Sequence, residues 1–158
     1  MRFLLLCGLL AAMGTPAVAQ TFEFDLSQQT MTAMGTNFHL DKLVDARADR
    51  STVGSVHRGM DNTPASANLR RELAAELTPL LQQALPIGPA TRPLIVRIHA
   101  LSIYEIIRPT SETASAELVA DFLEPVGNDT YRLLLSTSEL AESKGLDVTK
   151  QHDNNIKR

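Results

Sequence analysis

The residues richest in chemistry fall early in the chain. His39, Asp41 and Asp45 recur at odd positions of the stretch Asn37 to Asp45, whose Phe38, Leu40 and Val44 mark the other side. Alternate residues of a strand share one face, so an imidazole and two carboxylates would stand in a row. That donor set suits a divalent metal, and His39, Asp41 and Asp45 are the candidate metal ligands. The same alternation arises on any half-solvated strand, and Leu43 shares the row; a solvated face is the reading the pattern favours. Ser55 and His57 lie close in sequence, but no third residue is placed to orient the imidazole, and Gly54-Ser55 lacks the following glycine of a nucleophile elbow. The loop holding Arg47, Arg50 and Arg58 has no Gly-Lys-Ser/Thr ending for a phosphate and reads as a basic surface loop. No cofactor is implied.

The elements that position these residues centre on Pro93 to Ile107, an apolar, β-branched run closed by Pro93 and by Arg108-Pro109. Its even positions Leu94, Val96, Ile98 and Ala100 predict a buried strand face, while Arg97 and His99 interrupt the odd one. Thr63-Pro64 predicts a helix start, a capping hydroxyl followed by proline at the first helical position. Ala65, Leu69, Leu73, Leu77, Leu80, Leu81, Ala84 and Leu85 then continue at helical spacing, with Thr78-Pro79 predicting a kink or a second start. After a hairpin near Pro109, Ala116, Leu118, Ala120 and Phe122 alternate with Ser115, Glu117, Val119 and Asp121. Antiparallel pairing about that hairpin sets Arg97 opposite Asp121, which explains the polar residues as cross-strand pairs. A turn at Gly127-Asn128-Asp129 leads to a strand over Thr130 to Ser136. Val148, His152 and Ile156, spaced by four, predict a last helix capped by Asp147.

The chain has 158 residues, about one domain. Met1-Arg2, the apolar Phe3 to Met13 and the small-x-small Ala17-Val18-Ala19 read as a signal peptide over residues 1–19, cleaved near Ala19. The only cysteine, Cys7, goes with it and sits too early for a lipidated cysteine, so a periplasmic or secreted protein without a stable membrane anchor is expected. Residues 20–36 form a Met-punctuated lead-in in which Phe22, Phe24 and Leu26 alternate, either a loose terminus or an edge strand. Residues 37–158 form a single domain. With 15 Lys+Arg against 18 Asp+Glu and no Trp, the chain has no electrostatic footprint for nucleic acid.

The element order predicts an α+β fold, a two-layer sandwich with a mostly antiparallel sheet and helices packed on one face. Leu43-Val44-Asp45-Ala46-Arg47, then Val53-Gly54-Ser55-Val56, a long amphipathic helix and an apolar strand together resemble the YajG-like group of bacterial envelope proteins. The likeness runs from Phe38 to Ile107. It implies a small periplasmic domain without catalytic residues, although members of that group usually carry a lipidated cysteine. The expected function is a non-enzymatic binding or accessory module of the envelope, meeting a protein partner through a sheet edge or an uncovered sheet face. The alternatives are a metal-binding protein or hydrolase using His39, Asp41 and Asp45, and a structural subunit that self-assembles through the alternating N-terminal segment.

Overall fold

The computed structural model describes residues 21–59, 61–145, 148 and 151–157. The signal peptide and the Asp147 cap lie outside the described residues. One seven-stranded mixed sheet organises the chain, in the order β1 (Thr21–Phe24), β4 (Thr63–Leu69), β3 (Gly54–Arg58), β5 (Arg92–Arg108), β6 (Ser111–Gly127), β7 (Thr130–Gly145), with β2 (Phe38–Asp45) also paired to β5. Two helices accompany it, α1 (Leu73–Ala84) and the short α2 (His152–Ile156). The expected α+β two-layer sandwich is therefore overturned. The chain is β-rich, its sheet mixes parallel and antiparallel pairs, and its helices are too small to form a layer over it.

β5 is the organising strand. One edge is shared in file by two parallel strands, β2 along Arg92–Ile98 and β3 at Ile103, and the other edge carries the whole of β6. The chain leaves β5 after residue 45 and returns at residue 53: the Ala46 N–H donates to Ile98 O, and the Ile103 N–H to Val53 O. Gly54 makes the return possible. Its φ is +138°, and a Cβ there would lie 1.9 Å from Ile103 O, so no other residue fits.

Two β-bulges change which side chains the strands bury. β5 slips between Ile98 and Ala100, so the core face passes from Leu94, Val96 and Ile98 to Leu101 and Ile103. The even-numbered face expected from Leu94 to Ala100 holds as far as Ile98. β2 slips between Leu40 and Lys42, which buries Leu40 and Leu43 where alternation had selected Val44. A bulge inserts one residue and reverses the faces beyond it.

The helix expected from Thr63 begins instead at Leu73. Thr63–Leu69 is β4, antiparallel to β3 and parallel to β1. Pro64 is tolerated because β1 reaches only Ser66–Leu69, leaving the other edge of the strand open at the proline. Within α1, Leu73, Leu77, Leu80 and Ala84 are buried, and the helix runs on through Pro79. The buried Glu76 carboxylate is held by Arg71, at 2.9 Å from Nε and 3.3 Å from Nη2. That pair places a negative charge in the first turn of the helix, where the macrodipole favours it.

The hairpins follow the sequence. Pro109-Thr110 joins β5 to β6, and Asn128-Asp129 joins β6 to β7 with φ of 47° and 56°, the geometry of a two-residue hairpin turn. β7 continues to Gly145, beyond the strand expected to Ser136. The N-terminal segment is an edge strand of this sheet: Phe24 and Leu26 are 2% and 1% exposed and belong to the core.

Candidate functional site: an apolar groove between the helices

The candidate metal ligands stand apart in role. His39 Nδ1 lies 2.9 Å from the Thr91 hydroxyl. Asp41 is the exposed extra residue at the β2 bulge. Asp45 is engaged by Arg47, whose Nε and Nη2 each donate to its carboxylate at 2.9 Å, and these bonds hold the Asp45 carboxyl below its usual range. Among the described residues no group of three His, Cys, Asp or Glu is arranged to hold a metal ion.

Arg47 itself is buried, contrary to its reading as part of a basic surface loop, and also donates to Thr52 O at 3.3 Å. A second polar cavity of about 320 Å³ gathers Arg47, Arg50, Arg70 and Arg71 beside the start of α1. Three of these cations are already matched, to Asp45, Asp25 and Glu76 respectively. Arg50 Nε donates to Arg47 O and lies 4.0 Å from Asp45. Three of the four arginines of the cavity are thus held by carboxylates of the chain itself, and Arg50 shares Asp45 with Arg47.

Two further polar groups prove to be struts. Arg97 is opposite Asp121 in register, as the sequence predicts, with Nη2 at 2.7 Å from the carboxylate; His99 Nε2 lies 2.7 Å from the same oxygen. The Ser136 hydroxyl donates to the other oxygen at 2.6 Å. Ser136, then Arg97 and His99, hold the Asp121 carboxyl far below its usual range. More deeply placed is Glu105, 2% exposed at its side chain. It accepts the backbone N–H of His57 at 2.6 Å and meets His152 Nε2 at 3.1 Å. His152 is fully buried, its ring edge-on to Phe24 at 5.6 Å, and among the described residues its Nδ1 has no partner. Burial keeps the His152 pKa below its ordinary value in spite of Glu105. The neutral tautomer fits this environment, since a second ring proton would be an orphaned buried donor.

The Asp121 strut ties β5, β6 and β7 together, and the Glu105 strut helps fix α2 against the sheet. His152 ties it to β5, and Asn155 donates to Ala114 O at 3.0 Å while accepting the Ser143 hydroxyl at 2.6 Å. So placed, α2 and α1 border an apolar groove of about 330 Å³. Leu77, Leu80, Leu81, Ala84 and Leu85 form the α1 side; Leu94, Val96, Ile98 and Leu101 of β5 with Leu118, Ala120 and Phe122 of β6 form the floor. Met31, Met34 and Phe38 complete the lining from β2 and the segment before it, and Ile156 and Lys157 complete it from α2. The two methionines are positioned through their backbones, Met31 N–H to Gln83 Oε1 at 3.0 Å and Met34 N–H to Ala84 O at 2.7 Å. Small residues on the apolar face of β6 predict close approach of a helix. A helix does approach there: α2 packs against β6, with Asn155 bonded to Ala114 O, whereas α1 packs along β2 and the space beside Ala120 remains open as part of the groove.

Sequence reasoning assembled none of this groove. Its signals were present, in the methionines of the lead-in and in the small-large alternation of β6, but they lie far apart in the chain. No protein-family model, curated protein or solved structure matches this chain.

Proposed function

We propose that this chain is an exported, non-enzymatic binding module of the bacterial envelope, and that its working surface is the groove on the α1 side of the sheet. The groove carries the reading: about 330 Å³ of apolar space in which, among the described residues, Thr36 and Lys157 are the polar lining side chains. Ligand cavities in proteins run from about 300 to 1,000 Å³ and are mostly apolar with few polar groups. Such a lining can hold a hydrophobic molecule by burial but offers little to perform chemistry on it. Export is supported by the leader-like residues 1–19. No helix among the described residues is long and apolar enough to cross a membrane.

Native mass spectrometry of the protein purified from its own envelope tests the reading. A bound hydrophobic mass is expected, and the delipidated protein should enhance the fluorescence of N-phenylnaphthylamine. Protein that carries no ligand and leaves the dye dark would overturn it.

A second reading rests on β7, an outer strand of 16 residues along which Tyr131, Leu133, Leu134, Leu135 and Leu140 are exposed. An apolar sheet edge is a template for strand addition by a partner, which would make the chain an accessory subunit. Cross-linked pull-down from envelope extract would then recover a stoichiometric protein, lost on L135K. The self-assembly alternative has less room, because β1 is already paired to β4 and Phe24 is buried within the chain.

A further inference from the structure

We infer that the occupant of the groove is a single-chain amphiphile with one anionic head, its tail along the β5–β6 floor and its head at Lys157. This inference rests on the groove's being a binding site and adds the chemical class of its ligand. Lys157 is, among the described residues, the one charged residue lining the groove. Among the described residues its hydrogen bond is to a neutral group, Gln29 Oε1 at 2.9 Å, so its charge is not spent in a close ion pair. Asp153, one turn earlier on α2, feels that charge, while burial raises the Asp153 pKa.

Size and charge then select the ligand. A space of about 330 Å³ is near the small end of the ligand-cavity range and suits one hydrocarbon chain, not two. Past Leu101, Leu118, Phe122 and Ile156 the groove adjoins a further space of about 190 Å³, whose rim carries Glu117 and Glu139 but not Lys157. Those carboxylates disfavour an anionic head in that space, which leaves Lys157 as the place for it. A cationic head is repelled at Lys157, and a neutral one gains a hydrogen bond without the charge attraction.

Titration calorimetry on the delipidated full chain, below the micellar concentration of each probe, separates the possibilities. Dodecanoate is expected to bind about three- to tenfold more tightly than dodecanol or dodecylamine, the range for a partly solvated charge pair. Lauroyl lysophosphatidate alongside dodecanoate distinguishes a lipid-derived phosphate head from a free fatty acid; preference for either supports the inference. K157M should bring dodecanoate down to the level of dodecanol, and A120F, which fills the floor, should remove binding of every probe. Thermal unfolding identifies any variant that has lost its fold. Equal affinity for all heads, or a head preference that survives in a folded K157M, overturns the inference while leaving the groove as an apolar site. Failure of every probe to bind overturns the binding function itself.

Discussion

Glu105 is where one substitution should do most damage. Its carboxylate sits between β3 and α2, accepting from the His57 backbone at 2.6 Å and meeting His152 Nε2 at 3.1 Å, with 2% of the side chain exposed. Replacing it by alanine orphans two donors in a place water reaches poorly. A buried hydrogen bond to a charged acceptor contributes about 1.5–3 kcal/mol. The His57 side chain is 28% exposed, which lets its end of the network partly rehydrate. Glu105→Ala should therefore cost about 3–5 kcal/mol, a large share of the stability of a domain this size. Glu105→Gln keeps the volume and one carbonyl acceptor but turns an amide N–H₂ toward a donor; about 1–2 kcal/mol is expected. Urea unfolding followed by far-ultraviolet circular dichroism measures both, with the m-value unchanged if only stability moves. Combining Glu105→Ala with His152→Leu should cost less than the two separately, since each removes the other's partner. Amide exchange at Asn155 should accelerate in Glu105→Ala, because α2 loses its tie to β5. A loss below about 1 kcal/mol for Glu105→Ala, or equal losses for Ala and Gln, would refute the assignment of Glu105 as the anchor of α2.

Acidification should act through His152. Its folded pKa lies below the ordinary value of 6.5, so the unfolded chain takes up the proton first. Its neutral form is undisturbed above the ordinary histidine range, and stability is lost as the pH falls through that range toward the depressed folded value; the melting temperature should drop from about pH 8 to about pH 5, and less so in His152→Leu. Gly54→Ala should destabilise by at least about 2 kcal/mol in the same urea assay, because the added Cβ would lie 1.9 Å from Ile103 O at a φ of +138°; wild-type stability would mean that β3 does not approach β5 so closely. Pro79→Ala should stabilise by about 1–3 kcal/mol, since Pro79 is exposed inside α1 and denies the helix one backbone bond. A neutral result in calorimetric melting would show that the helix has already adapted to the proline.

The sequence by itself determined the local pairings. β-branched alternation, Pro109 and Asn128-Asp129 were sufficient for the β5–β6–β7 meander, and sheet register then followed closely enough to match Arg97 with Asp121. Period and turn chemistry are local properties, and here nothing distant competed with them. Where two local signals conflicted, the wrong one was persuasive. Thr63-Pro64 looks like a helix start, yet Ala65, Ala67 and Leu69 also repeat at the strand period, and β3 and β1 on either side decide for the strand. β7 past Ser136 lacks a buried face, so its polar residues gave no strand signal, and only pairing with β6 extends it to Gly145.

Tertiary structure alone decided the rest. The bulges at Leu40/Lys42 and Ile98/Ala100 re-aim side chains by one residue, a shift with no mark in composition, and they replace Val44 by Leu43 in the core and leave Asp41 exposed. Asp45 became the support of Arg47 because the loop after β2 folds that guanidinium inward. Glu105 finds His57 and His152 across stretches of chain that no spacing rule connects. The groove exists for the same reason. Its walls come from α1, β2, β5, β6, α2 and the segment before β2, and a cavity is a property of what packing leaves unfilled, which a sequence read one element at a time does not contain.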